Sequence, residues 1–562
     1  MQPWIRALVV LLFLVLTASP VTFAGSADTV NAAANAEVVT RSASDQPILA
    51  PPAQTASEIQ RVAFVYFNDF HGALEPIQGN PATQQHEAYG IARMVTAIRD
   101  LHKANTERGV RTFLVTAGDF VQGSNLSNHY KGMIEADIFN RVHMDFWVNG
   151  NHELDFGPDQ LVKLTQTIRA KNVNGNCMVD GKPIGGLVIA ESNGLTIGIA
   201  GLSDPVHYSR SRPKVNPAYL DRVAVTGPIE DVARQAVAEL RNRGADMIVL
   251  ITHVGVDIDV RLARAIPDIA LIIGGDSHTA IEGVLQENNG QTSIVQAGEK
   301  GKYIGYVEAI FSGKRFQGID AARLIPLDET VPPAPDIVAL VAEKKAALQA
   351  EYDEVVAVTD VFLDGEAKSI RSKETNLGDI ICDALRGAYP EADIALYNSG
   401  GIRNSIPPGE VTKGALMGVL PFHDNKIQLM QVTGQTIREA LDFSAKSAGG
   451  GGFLQVSGLT CELTPGVGAD KITINGEPLD PDRGYMLVTN SFVASGGDGY
   501  TMFRDIPPED RRVEPSPSAV VIAYIRKNFG DRAKKLWDAA EQHPPRIINP
   551  KSAANIFQPI KN

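Results

Sequence analysis

The stretch Val62-Ala63-Phe64-Val65-Tyr66-Phe67-Asn68-Asp69-Phe70-His71-Gly72 decides how this chain is built. Six apolar, β-favouring residues read as a short strand that ends at an amide, a carboxylate, an imidazole and a glycine. The arrangement recurs four times. Thr112–Thr116 leads into Gly118-Asp119, and Phe146–Val148 into Gly150-Asn151-His152-Glu153-Leu154-Asp155. Met247–Thr252 leads into His253-Val254-Gly255, and Ile269–Ile273 into Gly274-Gly275-Asp276-Ser277-His278. A sixth run, Leu195–Ala200, carries no such cluster. Between them, Ile91–Lys103 and Glu230–Arg243 space their apolar residues as helices do. Strands alternating with helices indicate a layered α/β domain over residues 61–330. Open α/β sheets bind ligands beyond the carboxyl ends of their strands, so the five clusters are expected to converge.

Outward from this block, Pro332-Pro333-Ala334-Pro335-Asp336 is a turn-rich break with a helix-capping candidate. Ile337–Tyr352 follows as one expected linker helix, with a hinge candidate around Glu351–Val355, so that residues 331–355 connect two domains. A second mixed domain is expected over 356–550, with a tail at 551–562. At the other end, one positive charge in Met1–Arg6, the apolar run Ala7–Leu16 and small residues to Ala27 read as a secretory signal peptide. Ten apolar residues are too few to cross a bilayer. Residues 28–60, rich in Ala, Ser, Thr and Pro, read as a disordered lead-in. An exported protein, periplasmic or secreted and with no membrane anchor once the signal is removed, is the expectation.

The chain has 562 residues and a net charge of −13, from 52 Lys and Arg against 65 Asp and Glu. That balance lacks the basic field that draws proteins to nucleic acid, so a phosphate ligand must find positive charge locally, from metal ions or placed arginines. The three cysteines, Cys177, Cys382 and Cys461, are too few and odd in number for a disulfide scaffold and read as small buried residues.

Taken singly, an Asp-x-His is a turn and a lone His is structural. Together, four of the eleven histidines stand beside carboxylates and glycines at strand ends, which packing alone does not produce. The order Asp-x-His, Gly-Asp, Gly-Asn-His-Glu, His and Gly-Gly-x-Ser-His resembles the calcineurin-like metallophosphoesterases. The longer strings FNDFHG, GNHELDFG, YNSGGIR and SFVASGGDGY resemble the 5′-nucleotidases, and the likeness runs over nearly all of the chain after Val62.

The resemblance implies an N-terminal four-layer metallophosphoesterase β-sandwich flanked by helices and a C-terminal α/β domain that binds the substrate. It implies two divalent ions drawn from Zn, Mn, Fe or Co. One would take Asp69, His71, Asp119 and His278, and the other Asp119, Asn151, His253 and Asp276. His152 and Asp155 are implied as the catalytic pair. In the second domain Phe422 and Phe492 would sandwich a base. Asp498 would accept ribose hydroxyls, Asn398 would touch base or ribose, and Arg371 and Arg403 would hold phosphate.

Asp276 departs from the family, which has His there. Three carboxylates against two divalent ions sum to +1, where His would leave +2. A less acidic bound water and a preference for hard metals such as Mn are therefore expected. The implied activity is hydrolysis of nucleoside 5′-monophosphates, with nucleotide pyrophosphates and UDP-sugars as further candidate substrates. The rivals are a 2′,3′-cyclic nucleotide phosphodiesterase with 3′-nucleotidase activity, a thiosulfohydrolase, and a non-catalytic nucleotide-binding or surface-interaction protein.

Overall fold

A computed structural model describes residues 59–76, 89–211, 213–422, 425–507, 511–530, 535–537 and 544–549. The expected signal peptide, the tail and all but the last two residues of the expected lead-in lie outside them. Strand β1 (Ile59–Phe67) is central in a six-stranded sheet. It pairs in parallel with β2 (Arg111–Thr116), which pairs in parallel with β3 (Phe146–Trp147). On its other side β1 runs antiparallel to the strand Tyr303–Ser312.

The alternation along β1 explains the layering. Val62, Phe64 and Tyr66 pack toward a second six-stranded sheet, against Ile197, Val249 and Ile273. Ala63, Val65 and Phe67 point the other way, into a core shared with α1 (Ile91–Glu107). The second sheet repeats the device: Val249 and Ile251 of the strand Met247–His253 face the first sheet, and Ile248 and Leu250 face the helices Ile229–Asn242 and Val256–Ala265. Each sheet is covered on both faces, which is why its strands read as unbroken apolar runs. The result is four layers, helix–sheet–sheet–helix.

The second domain is built on a five-stranded sheet whose strand Ile394–Asn398 alternates likewise. Ala395 and Tyr397 meet the helices Asn376–Ala388 and Pro517–Phe529, while Ile394 and Leu396 meet the helix Gly434–Lys446. Thr375 caps the first of these helices by accepting from Gly378 N–H at 3.2 Å.

The linker differs from the single helix expected over Ile337–Tyr352. It is two pieces, Pro335–Ala346 and Gln349–Tyr352, because Leu348 (φ −112°, ψ −10°) turns into the core of the first domain. Asp336 does not cap; both its carboxylate oxygens receive Arg99 of α1 at 2.8 Å. All three cysteines are free and buried.

Candidate metal centre and nucleotide cleft

Parallel pairing brings the carboxyl ends of the five cluster-bearing strands to one edge. Backbone bonds then zip the loops together. Asp69 N–H donates to Gly118 O at 3.0 Å, His71 N–H to Asp119 O at 2.9 Å, and Gly255 N–H to Gly275 O at 3.0 Å. Asp69, His71, Asp119, Asp276 and His278 all adopt left-handed backbone, with φ between 48° and 76°. Five such residues in one place is costly local geometry, of the kind that persists where surrounding structure holds a site. Gly150 is required: a Cβ there would lie 2.1 Å from Asp119 Oδ1.

Three groups bring their ligand atoms within 4.8 Å of one another: Asp69, His71 and His278; Asp69, Asp119 and His253; and His71, Asp119 and His152. His71 and His278 point Nε2 at each other at 3.2 Å, and His253 Nε2 is 3.2 Å from Asp119 Oδ2. The far side of two of these rings is tied down. His253 Nδ1 meets Ala117 O at 2.7 Å and His278 Nδ1 meets Glu299 Oε2 at 3.0 Å, which leaves each Nε2 for a ligand. His253 Nε2 and Asn151 Oδ1 are buried with no hydrogen-bond partner. Orphaned lone pairs facing two buried carboxylates are what a cation satisfies, and the imidazole, carboxylate and amide donors suit a divalent metal.

The charges of His71 and Asp119 fit the same reading, whereas burial is outweighed at His253 by Asp119 and at His278 by Asp69, which raise the first well above its ordinary value and the second to about 9. Burial, then the nearby Arg403, His278 and His152, holds the His71 imidazole well below its ordinary value, so it stays neutral as a ligand must. For Asp119, burial is outweighed by His253, His152 and His71, and its carboxyl is held well below the carboxylate range.

His152 Nδ1 lies 2.6 Å from Asp155 Oδ2, while its backbone N–H donates to Asp119 Oδ1 at 2.8 Å. Asp276 is near the cluster, its Oδ1 3.7 Å from His253 Nε2, but its carboxylate receives Lys214 Nζ at 2.9 and 3.3 Å.

One cavity of about 740 Å³ joins this centre to the second domain. Asp119, Asn151, His152, Asp155, Asp276 and His278 line one side, with Arg371, Asn398, Arg403, Phe422, Phe492 and Asp498 opposite. Asp69, His71 and His253 are not among its lining residues. Arg371 Nε is buried without a partner, and among the described residues neither Arg371 nor Arg403 is ion-paired. Burial, then Arg371, brings Arg403 down to about 10. Asp498 and Glu299 act on Arg371, and Asp155, Asp119 and Glu299 on Arg403, only through space, and two adjacent guanidiniums of this kind suit an anion. Phe422 neighbours both His152 and Arg403, its ring 6.2 Å from that of His152 at 30° and 6.0 Å from Arg403 Cζ. Asn398 is engaged inside the protein, donating to Asp498 Oδ2 and accepting from Asn490 Nδ2, both at 2.9 Å, so it orients Asp498.

Sequence reasoning passed over four residues here. Glu153 accepts the backbone N–H groups of Gly150 (2.6 Å), Asp119 (3.0 Å) and Phe120 (2.8 Å), fixing two ligand loops at once. Its signal was its place in the Asn-His-Glu string. Asn68 donates to Asp69 Oδ2 at 2.6 Å and to Gly298 O at 2.7 Å. Glu299 and Lys214 sit in loops without a motif and left no signal.

The fold and these clusters define a calcineurin-like metallophosphoesterase. A calcineurin-like phosphoesterase model matches residues 63–280, and a 5′-nucleotidase C-terminal domain model matches residues 355–505. The trifunctional nucleotide phosphoesterase protein YfkN of Bacillus subtilis is 30% identical over 508 residues, 80% of this chain, although the alignment spans only 34% of that longer protein. The 5′-nucleotidase of Diplobatis ommata is 26% identical over 555 residues, 89% of this chain and 92% of that one. The crystal structure of a 5′-nucleotidase precursor from Thermus thermophilus superposes with a TM-score of 0.76 at 28% identity, covering 87% of this chain and 99% of that one. The chain carries a calcineurin-like phosphoesterase domain followed by a 5′-nucleotidase C-terminal domain, its relatives and structural neighbours include 5′-nucleotidases, and it is a hydrolase of the metallophosphoesterase class.

Among the described residues no helix is long and apolar enough to cross a membrane.

Proposed function

We propose that the cleft hydrolyses nucleoside 5′-monophosphates to nucleoside and phosphate with two divalent ions, one at Asp69, His71, Asp119 and His278 and the other at Asp119, Asn151, His253 and Asp276. The observation that carries this reading is the single cavity with metal-type ligands on one wall and unpaired arginines, aromatic rings and Asp498 on the other. When bound, the ions supply positive charge against the phosphoryl oxygens and make bound water more acidic.

The chain's own residues do the rest. Arg371 and Arg403 hold the phosphate oxygens and orient the ester. Asp155 holds the proton on His152 Nδ1 and, with Asp119, favours the imidazolium, so that Nε2–H stabilises developing charge or passes its proton to the leaving oxygen and the ring is left neutral. Phe492 and Phe422 offer flat apolar surfaces to the base, and Asp498, held by Asn398, accepts from ribose hydroxyls.

Export to the periplasm or the exterior is part of the same proposal and is supported by the signal-like run at Ala7–Leu16. Domain boundaries at 61–330, 331–355 and 356–550 are proposed with it, with a hinge at Glu351–Val355.

Phosphate release from AMP, UMP, a 2′,3′-cyclic nucleotide and a UDP-sugar, each with and without chelator, tests the assignment. Chelator-sensitive release from the monophosphates is expected. Release that survives the chelator, or from the cyclic nucleotide alone, contradicts it.

A further inference from the structure

Asp276, proposed above as a ligand of the second ion, is already engaged inside the protein. Lys214 Nζ lies 2.9 Å from Asp276 Oδ1 and 3.3 Å from Oδ2. Oδ1 is also 3.7 Å from His207 Nδ1 and from His253 Nε2. The Asp276 side chain is only 13% exposed, while that of Lys214 is 43% exposed and lines the cavity. The lysine therefore reaches inward from the cleft onto a nearly buried carboxylate.

Its backbone is fixed rather than free. Lys214 N–H donates to His207 O at 2.9 Å, and the neighbouring Pro213 O accepts from Asp498 N–H at 3.1 Å. The loop that carries the lysine is thus pinned between the metal-side residue His207 and the loop of the second domain that bears Asp498.

The charge count explains the pairing. Asp69, Asp119 and Asp276 with two divalent ions sum to +1, and the Lys214 ammonium brings the total to +2, the value that histidine at 276 would give. The same ammonium, however, occupies the oxygen that an ion beside His253 needs.

We propose that Lys214 is a built-in counter-cation for Asp276 which the second divalent ion must displace, so that ammonium and metal compete for one carboxylate. The inference rests on the proposed two-ion centre and adds an order of filling. The ion beside Asp69, His71 and His278 binds first, and the ion beside His253 binds second and more weakly. The displaced lysine stays in a cavity shared with Arg371 and Arg403, where a phosphate is its natural partner.

Titrating metal-free protein with Mn²⁺ and counting bound ions by electron paramagnetic resonance tests this without reference to turnover. Wild type is expected to fill in two steps. Lys214→Gln is expected to tighten the weaker step about tenfold and leave the tighter one unchanged, since it removes one charge-assisted pair. In an Asp276→His background, where no carboxylate is contested, the same lysine change is expected to matter less than about twofold. No tightening in Lys214→Gln overturns the proposal. An equal effect with and without Asp276 does so as well, because it marks general charge repulsion. Failure of wild type to take up Mn²⁺ at all overturns instead the metal-centre reading beneath it.

Discussion

Asp155 Oδ2 lies 2.6 Å from His152 Nδ1, and the two residues are three apart in the short turn that follows β3. A carboxylate can only accept, so this contact selects the imidazole tautomer and aims Nε2 away from Asp155. Burial pulls the His152 imidazole down, but Asp155 and Asp119 outweigh it, and its pKa ends above the ordinary value. Asp155→Asn keeps the shape and loses the orienting charge. Its kcat on AMP is expected to fall about 10²-fold, with KM and metal content little changed. An unchanged kcat contradicts the role given to the pair.

Phe492 borders the cleft and packs partly on the core of the second domain. Phe492→Ala removes one stacking surface, and KM for AMP is expected to rise about tenfold, in line with a stacking energy of about 1–3 kcal/mol per base. Hydrolysis of p-nitrophenyl phosphate, which has no base, should be unaffected. Equal loss on both substrates would place Phe492 in the chemistry instead.

Glu153 binds three backbone N–H groups from the loops of Asp119 and Asn151. Glu153→Ala strands those buried donors, and a loss of about 3 kcal/mol in urea unfolding is expected together with loss of bound metal. A variant that keeps both its stability and its metal would show that the loops hold without it.

Legibility in the sequence followed the physics of each position. The strands were readable because sheets covered on both faces need unbroken apolar runs, and β1 shows the run and its terminal ligands side by side. The ligands were readable because the clusters recur at five strand ends, although each taken alone reads as a turn or a structural residue. What escaped depends on distance in space rather than spacing in sequence. Glu299 meets His278 across the fold, and Lys214 meets Asp276 from a loop with no pattern. The split linker escaped because the burial of Leu348 is a tertiary event that overrides continuous helical spacing.

Glu135 in the helix Met133–Arg141 is fully buried, and burial raises its carboxyl from 4.5 to about 7. The folded state holds this proton more tightly than the unfolded chain. Its contribution to stability is therefore complete below pH 4.5 and is lost as the pH rises toward about 7. Glu135→Gln cannot ionise and should remove that loss, so that the variant gains about 3 kcal/mol on wild type across the window. Urea midpoints measured on either side of it check the sign. A difference that does not change with pH contradicts the burial argument.

The central claim is that residues from both sheets gather around a pair of divalent ions with Asp119 between them. Metal content per chain, measured by mass spectrometry beside AMP turnover for wild type and Asp119→Ala, tests it most directly. About two ions per wild-type chain are expected, lost together with turnover on chelation, while Asp119→Ala retains neither full occupancy nor activity. Undiminished turnover by metal-free protein, or Asp119→Ala with both ions in place, would contradict the account.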